Sequence, residues 1–152
     1  MDPATGFQQI DATMIPQIKE TPKVSVAIVN WNTKDLLEAC LESIFRETTA
    51  FPIEVIVADN DSRDGSCEMV KEKFKEVILI ENKANVGFAK GTNQGFEIAR
   101  GEYVLMLNSD TVILDRAIER TVAFADAHPE AGGVGCRMTY PDGRFQSSCF
   151  RI

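Results

Sequence analysis

From Lys23 onward the chain alternates between short β-branched apolar runs and amphipathic stretches of helical period, and this rhythm constrains the fold more than any other feature. Residues 24–29 are nearly all apolar, the pattern of a strand covered on both faces. Asn32 offers a helix cap, with Asp35 three residues on. Leu36, Leu37, Cys40, Leu41, Ile44 and Phe45 then recur at a spacing that lays one apolar stripe along a helix. A second strand is predicted over 53–58, followed by a helix capped by Asp64 that would bury Cys67, Val70 and Phe74. A third strand is predicted over 77–80. The next helix, over 87–100, carries Phe88, Thr92, Phe96 and Ala99 on one side, where Gly91 and Gly95 would permit a close approach. A fourth strand over 103–107 is expected to be buried, and a fourth helix over 115–127 would use Ile118, Val122 and Ala125. Residues 132–138 are expected as a fifth strand, and Tyr140-Pro141-Asp142-Gly143 as a turn from which 144–152 returns. Residues 1–22 show no sustained period and read as a leader, which leaves 23–152 as one α/β unit.

Strands alternating with helices imply a mostly parallel sheet with helices on both faces. Ligands of such sheets bind beyond the carboxyl ends of the strands, where the strand order switches. Every expected strand here ends in polar residues: Asn30-Trp31-Asn32, Asp59-Asn60-Asp61-Ser62, the segment 82–87, and Asn108-Ser109-Asp110. Asp110 at such a lip either binds a hard divalent cation, which wants oxygen ligands, or, like Asn108, caps a turn leading to the next helix. Asp59 either accepts hydrogen bonds from a ligand's base or ribose or satisfies loop amides. Gly87 precedes a helix whose first amides favour anions, with Lys83 and Lys90 adding positive charge or standing solvated. The segment has neither the glycine spacing of a dinucleotide fingerprint nor the lysine-hydroxyl ending of a phosphate loop.

Sixteen basic and 23 acidic side chains leave a net charge of −7, which excludes a nucleic-acid binder that works by neutralising many phosphates. The four cysteines, Cys40, Cys67, Cys136 and Cys149, have no paired ligand spacing and read as reduced thiols. No signal peptide and no membrane-spanning apolar run is visible, so a cytoplasmic location is expected. Trp31 is expected to pack as core or helix cover, His128 has no companion for chemistry, and Met69, Met106 and Met138 are expected in the core.

Four segments in order carry a resemblance: Val24-Ser25-Val26-Ala27-Ile28-Val29-Asn30-Trp31-Asn32, then Val57-Ala58-Asp59-Asn60-Asp61-Ser62-Arg63-Asp64-Gly65-Ser66, then Asn85-Val86-Gly87-Phe88-Ala89-Lys90-Gly91-Thr92-Asn93-Gln94-Gly95, then Leu107-Asn108-Ser109-Asp110. Together they resemble the amino-terminal half of the family 2 glycosyltransferases, within which the rhamnosyltransferase-like members of polysaccharide and O-antigen assembly are most similar. The likeness implies a half or truncated nucleotide-diphospho-sugar transferase domain of the Rossmann-like A type. It implies that Val29, Asn30, Asn32, Asp59 and Asp61 hold the nucleotide of a UDP- or dTDP-linked sugar. Asn85, Gly87 and Lys90 would line the route of the ribose-diphosphate. Asp110, with Asn108, would hold Mg²⁺ or Mn²⁺. The family's metal motif usually has an acid in its first or middle positions besides the decisive last one; here the first position is Asn108, so only Asp110 supplies a charged ligand from that triplet.

The implied reaction is inverting transfer of the sugar to a saccharide or lipid-linked acceptor in cell-surface polysaccharide assembly, in the cytoplasm or peripherally at the inner membrane. In the family the acceptor pocket and the base follow the metal motif, so the catalytic base is expected beyond Ile152. Three readings stay open: part of a longer transferase, a nucleotide-sugar-binding module without turnover, or a self-associating domain whose sheet edge is covered by a second copy.

Overall fold

The computed structural model describes residues 20–146, so most of the leader, the end of the chain and Cys149 lie outside the described residues. The elements run β1 (Val24–Asn30), α1 (Lys34–Glu47), β2 (Ile53–Asp59), α2 (Ser66–Lys73), β3 (Ile78–Glu81), α3 (Phe88–Ile98), β4 (Tyr103–Asn108), α4 (Ala117–Ala127), β5 (Met138–Thr139) and β6 (Phe145–Gln146). The first four strands form one wholly parallel sheet in the order β3-β2-β1-β4. The chain winds outward from β1 to β3 and then returns to the other side of β1, which puts the switch in strand order between β1 and β4.

Side-chain alternation assigns the helices to faces. Val24, Val26 and Ile28 of β1 and Val55 and Val57 of β2 share a buried cluster with Leu37, Cys40, Leu41 and Ile44 of α1, Met69 and Val70 of α2, and Ile118 and Val122 of α4. The opposite face receives α3, whose Gly91 and Gly95 lie against Val29 and Ala27 of β1. Helices therefore cover both faces, as the sequence rhythm predicts. A methyl group on Gly95 would sit 3.1 Å from the Ala27 Cβ, so the close approach depends on the missing side chain. Gly95→Val is expected to cost about 1–3 kcal/mol through overpacking, read as a lower urea midpoint at unchanged slope.

Several expectations are corrected. β4 is not a covered strand: its residues alternate between half-buried and exposed, and Met106, expected in the core, is 54% exposed. The reason is the position of α3, which lies over β1 and β2 and leaves Val104 and Met106 of the neighbouring edge strand uncovered. α3 buries Gly91, Thr92, Gln94 and Gly95, whereas Phe88 and Phe96, expected inward, are exposed. The fifth strand is only Met138–Thr139, paired antiparallel with Phe145–Gln146 across the predicted turn, with Gly143 at φ 82°. α4 starts at Ala117 because Asp115 and Arg116 both adopt left-handed backbone conformations. Pro22, read as leader, is buried, and its carbonyl accepts Glu102 N at 3.4 Å.

Candidate functional site

Parallel pairing brings the carboxyl ends of all four strands to one lip. Asn30 of β1 stands opposite Asp59 of β2, Asp59 opposite Glu81 of β3, and Val29 opposite Asn108 of β4. Asp59 and Asp110 thus lie at the same end of the sheet, on either side of the switch point.

The centre of the lip is a hydrogen-bonded frame. Asp59 is 1% exposed; its Oδ2 accepts from Asn30 Nδ2 at 2.8 Å and its Oδ1 from Ser62 N at 2.8 Å. Asn30, also buried, donates further to Ser62 Oγ at 3.2 Å and accepts from Thr33 Oγ1 at 2.6 Å. Thr33 Oγ1 is in turn 3.0 Å from Ser109 Oγ. Asn30 and Asp59 hold the loops in place from within, and Val29 turns its side chain beneath Gly91. Burial first, then the nearby Asp59 carboxylate, pushes the Cys67 thiol up to about 12, so this cysteine remains protonated at neutral pH.

The loops after β1 and β2 cross-brace each other. Asn32 does not cap α1, contrary to expectation; it has φ 53°, its N donates to Ser62 Oγ, and its Oδ1 accepts from Arg63 N. The cap comes from the neighbouring loop: Asp64 Oδ2 accepts from Lys34 N at 2.8 Å while its Oδ1 accepts from the N and Oγ of Ser66 at 3.1 and 2.5 Å. One carboxylate serves the first turns of two helices. Burial would raise the Asp64 carboxyl, but these hydrogen bonds outweigh it and hold the group below the ordinary aspartate range. Asp61, at φ 64°, lies 3.5 Å from the exposed Arg63 guanidinium.

The third loop is fastened to the second. Asn82 N donates to Asp59 O, and a row of buried amides runs from Gly87 O through Asn60 and Asn82 to Gln94. Gly87 has φ 84° and ψ 165°, a region essentially restricted to glycine, and its N donates to the exposed Asn85 Oδ1. This turn sets the start of α3 at the lip, with Lys90 exposed in its first turn.

On the far side of the switch point, Asn108 and Asp110 are exposed. Of the two alternatives, a side-chain cap has no hydrogen bond to show for it among the described residues: Thr111 N bonds to the main-chain oxygen of Asn108, and Asp110 has no hydrogen-bond or ion-pair partner among the described residues. Burial, then the Asp110 charge, pushes the neighbouring Cys40 thiol up to about 12. No group of three or more His, Cys, Asp or Glu side chains that could hold a metal occurs among the described residues. The donor set suits Mg²⁺ or Mn²⁺, which commonly takes one or two protein oxygens and completes its shell with phosphate and water.

Trp31 overturns another expectation. It is the residue that follows β1, is 56% exposed, and so is not part of the core. The sequence analysis passes over Thr33 and names Asn60, Ser62 and Ser109 only as polar strand-end residues, with no role of their own. The signal for them was their position within one or two residues of a strand end, where the backbone already faces the lip.

Comparison with known proteins gives one consistent picture. The profile of glycosyl transferase family 2 matches residues 25–148. A poly(ribitol-phosphate) beta-glucosyltransferase of Bacillus spizizenii is 33% identical over 108 residues, covering 68% of this chain and 17% of that protein. A mannosyltransferase of Pyrobaculum calidifontis, solved with GDP-Man and Mn²⁺, superposes with a TM-score of 0.62 at 26% identity, covering 70% of this chain and 33% of that one. TarS of S. aureus, residues 1–349 with UDP-GlcNAc, gives 0.62 at 28% identity over 70% of this chain and 32% of that one. The chain therefore spans a third or less of each of these three proteins.

Proposed function

This chain belongs to glycosyl transferase family 2, and from that premise we propose that the described fold is the donor-binding part of a nucleotide-sugar transfer site in polysaccharide assembly. The observation that carries the reading is the frame Asp59–Asn30–Thr33–Ser109, which ties the ends of β2, β1 and β4 into one lip at the switch point. The donor is a UDP- or dTDP-linked sugar. Asp59 and Asn30 act from beneath, fixing the loops on which Trp31, Asn32 and Asp61 meet the nucleoside. Gly87, Asn85 and Lys90 place the first amides of α3 and a cation beside the diphosphate. Asp110, with Asn108, holds Mg²⁺ or Mn²⁺, which when bound offsets the charge that grows on the departing nucleoside diphosphate.

The transfer is inverting, and the acceptor is a saccharide or lipid-linked saccharide whose hydroxyl is deprotonated by a carboxylate. That base is assigned to the part of the family domain that the matched proteins carry beyond the share they have in common with this chain. Among the described residues no helix is long and apolar enough to cross a membrane.

Calorimetry with UDP, dTDP and GDP, each with Mn²⁺ and with a chelator, tests the reading. Binding of UDP or dTDP that Mn²⁺ strengthens is expected; no heat with any nucleotide in either condition would overturn it. Trp31 supplies a second test, since it is the sole tryptophan and reports its own contact by fluorescence. Quenching by UDP is expected, and Trp31→Ala should weaken binding about tenfold through lost base stacking, with Trp31→Phe close to wild type. Equal affinity for Trp31→Ala would remove the indole from the site.

A further inference from the structure

We infer that Thr33 is a positioning residue that couples the metal-holding turn after β4 to the nucleotide loops after β1 and β2. The inference rests on the donor-site reading above and adds to it a residue and a direction of coupling.

Counting hydrogens gives the direction. A threonine hydroxyl carries one proton, and that of Thr33 points at Asn30 Oδ1, an acceptor without a hydrogen, at 2.6 Å. The 3.0 Å contact between Thr33 and Ser109 must therefore use the Ser109 proton. The Asn30 amide then gives its own hydrogens to Asp59 Oδ2 at 2.8 Å and Ser62 Oγ at 3.2 Å. The chain of donors runs one way, from Ser109 through Thr33 and Asn30 to a buried carboxylate. Each link polarises the next, so the charge of Asp59 is felt at the residue beside Asp110.

Thr33 is suited to this place because it does not move freely. Its main-chain oxygen accepts Leu37 N at 2.8 Å, which anchors it to the first turn of α1. Beyond the pairing of Asn108 with Val29, the turn at 108–111 is held among the described residues by an internal bond from Thr111 N to Asn108 O and by Cys40, whose Sγ lies 3.8 Å from Asn108 O and accepts from the Thr111 amide. The Thr33 hydroxyl is a short side-chain link between the loops that follow β1 and β4. A group that orients Asp110 without touching the nucleotide should matter most when metal and nucleotide are bound together.

The test is UDP binding by the whole chain, with Mn²⁺ and with chelator, in wild type, Thr33→Val, Thr33→Ser, Ser109→Ala and the Thr33→Val/Ser109→Ala double variant. Thr33→Val is expected to lose about fivefold more affinity with Mn²⁺ than with chelator, the size of one net hydrogen bond. Thr33→Ser should restore the enhancement, Ser109→Ala should copy Thr33→Val, and the double variant should be no worse than either single, as for two members of one link. A wild type that binds no nucleotide overturns the donor-site reading and this inference with it. If wild type binds with a Mn²⁺ enhancement that Thr33→Val leaves intact, only the inference falls. It falls also if Thr33→Val loses metal-free and metal-dependent affinity in equal proportion, or if Thr33→Ser fails to recover.

Discussion

Glu54→Ala is expected to destabilise the fold by about 3 kcal/mol, the range for removing one partner of a buried ion pair, and to lower Tm by about 10 °C. Glu54 sits on the α3 side of β2 and is 2% exposed. Its Oε1 accepts from Ser25 Oγ at 2.5 Å and Arg100 N at 2.6 Å, and its Oε2 from Arg100 Nε and Nη2 at 3.0 and 2.7 Å. Ser25 Oγ meanwhile accepts from Gly101 N at 2.7 Å, so a single acid organises the whole connection from α3 to β4. Alanine would leave the fully buried Ser25 hydroxyl without its acceptor and the Arg100 amide with only its 3.1 Å bond to Ser25 Oγ, and would open a cavity beside Ser25. Arg100 is partly exposed and can turn to water, which keeps the cost from rising further.

The same residue sets a pH dependence. Burial would raise the Glu54 carboxyl, but the bonds from Ser25 and from the Arg100 amide and guanidinium outweigh it and hold the group below its ordinary value of 4.5. A group with a depressed folded pKa binds fewer protons folded than unfolded, so its stabilisation is present above 4.5 and is lost as pH falls through the lower, folded value. Wild type should lose stability in acid across that window, and Glu54→Ala should lose less over the same interval. Parallel acid-denaturation curves for the two proteins would show that Glu54 is not the group responsible.

Periodicity carries the fold and polar strand ends carry the lip, because both depend on local pattern. Val24, Val26 and Ile28 against Leu37, Cys40 and Leu41 could be paired from spacing alone. What spacing cannot supply is where a helix lands. Phe88, Phe96 and Met106 have core composition, yet α3 settles over β1 and β2 through Gly91 and Gly95 and leaves them in water. Trp31 was misplaced for a related reason, since apolar bulk says nothing about whether the residue after a strand turns in or out. At the site, Asp59 and Asp110 were legible as acids at strand ends. The frame between them was not, because Asn32 meets Ser62 and Thr33 meets Ser109 only across loops 30 and 76 residues apart. Asp64 capping α1 from the next loop is another such case, a local rule satisfied by a distant residue.

Asp110→Ala should abolish the Mn²⁺ enhancement of nucleotide binding while leaving binding in chelator unchanged. Groups that only orient a metal's ligands commonly cost about 10- to 100-fold in affinity when removed, so loss of the one carboxylate in the turn, if it binds the ion directly as proposed, should cost about 100-fold in Mn²⁺. Asp110→Asn, which keeps an oxygen and drops the charge, should fall between, and Asn108→Ala should lose only a few-fold because a neutral amide oxygen holds a divalent ion weakly. The fold itself makes this a clean experiment. Asp110 is exposed and engages no hydrogen-bond or ion-pair partner among the described residues, so its removal should leave Tm within the small range of ordinary surface substitutions. An unchanged Tm together with an unchanged Mn²⁺ enhancement would reduce Asp110 to a turn residue. An unchanged Tm with the enhancement gone leaves a metal as what the carboxylate was placed to hold, because none of the described residues hydrogen-bonds or ion-pairs with it.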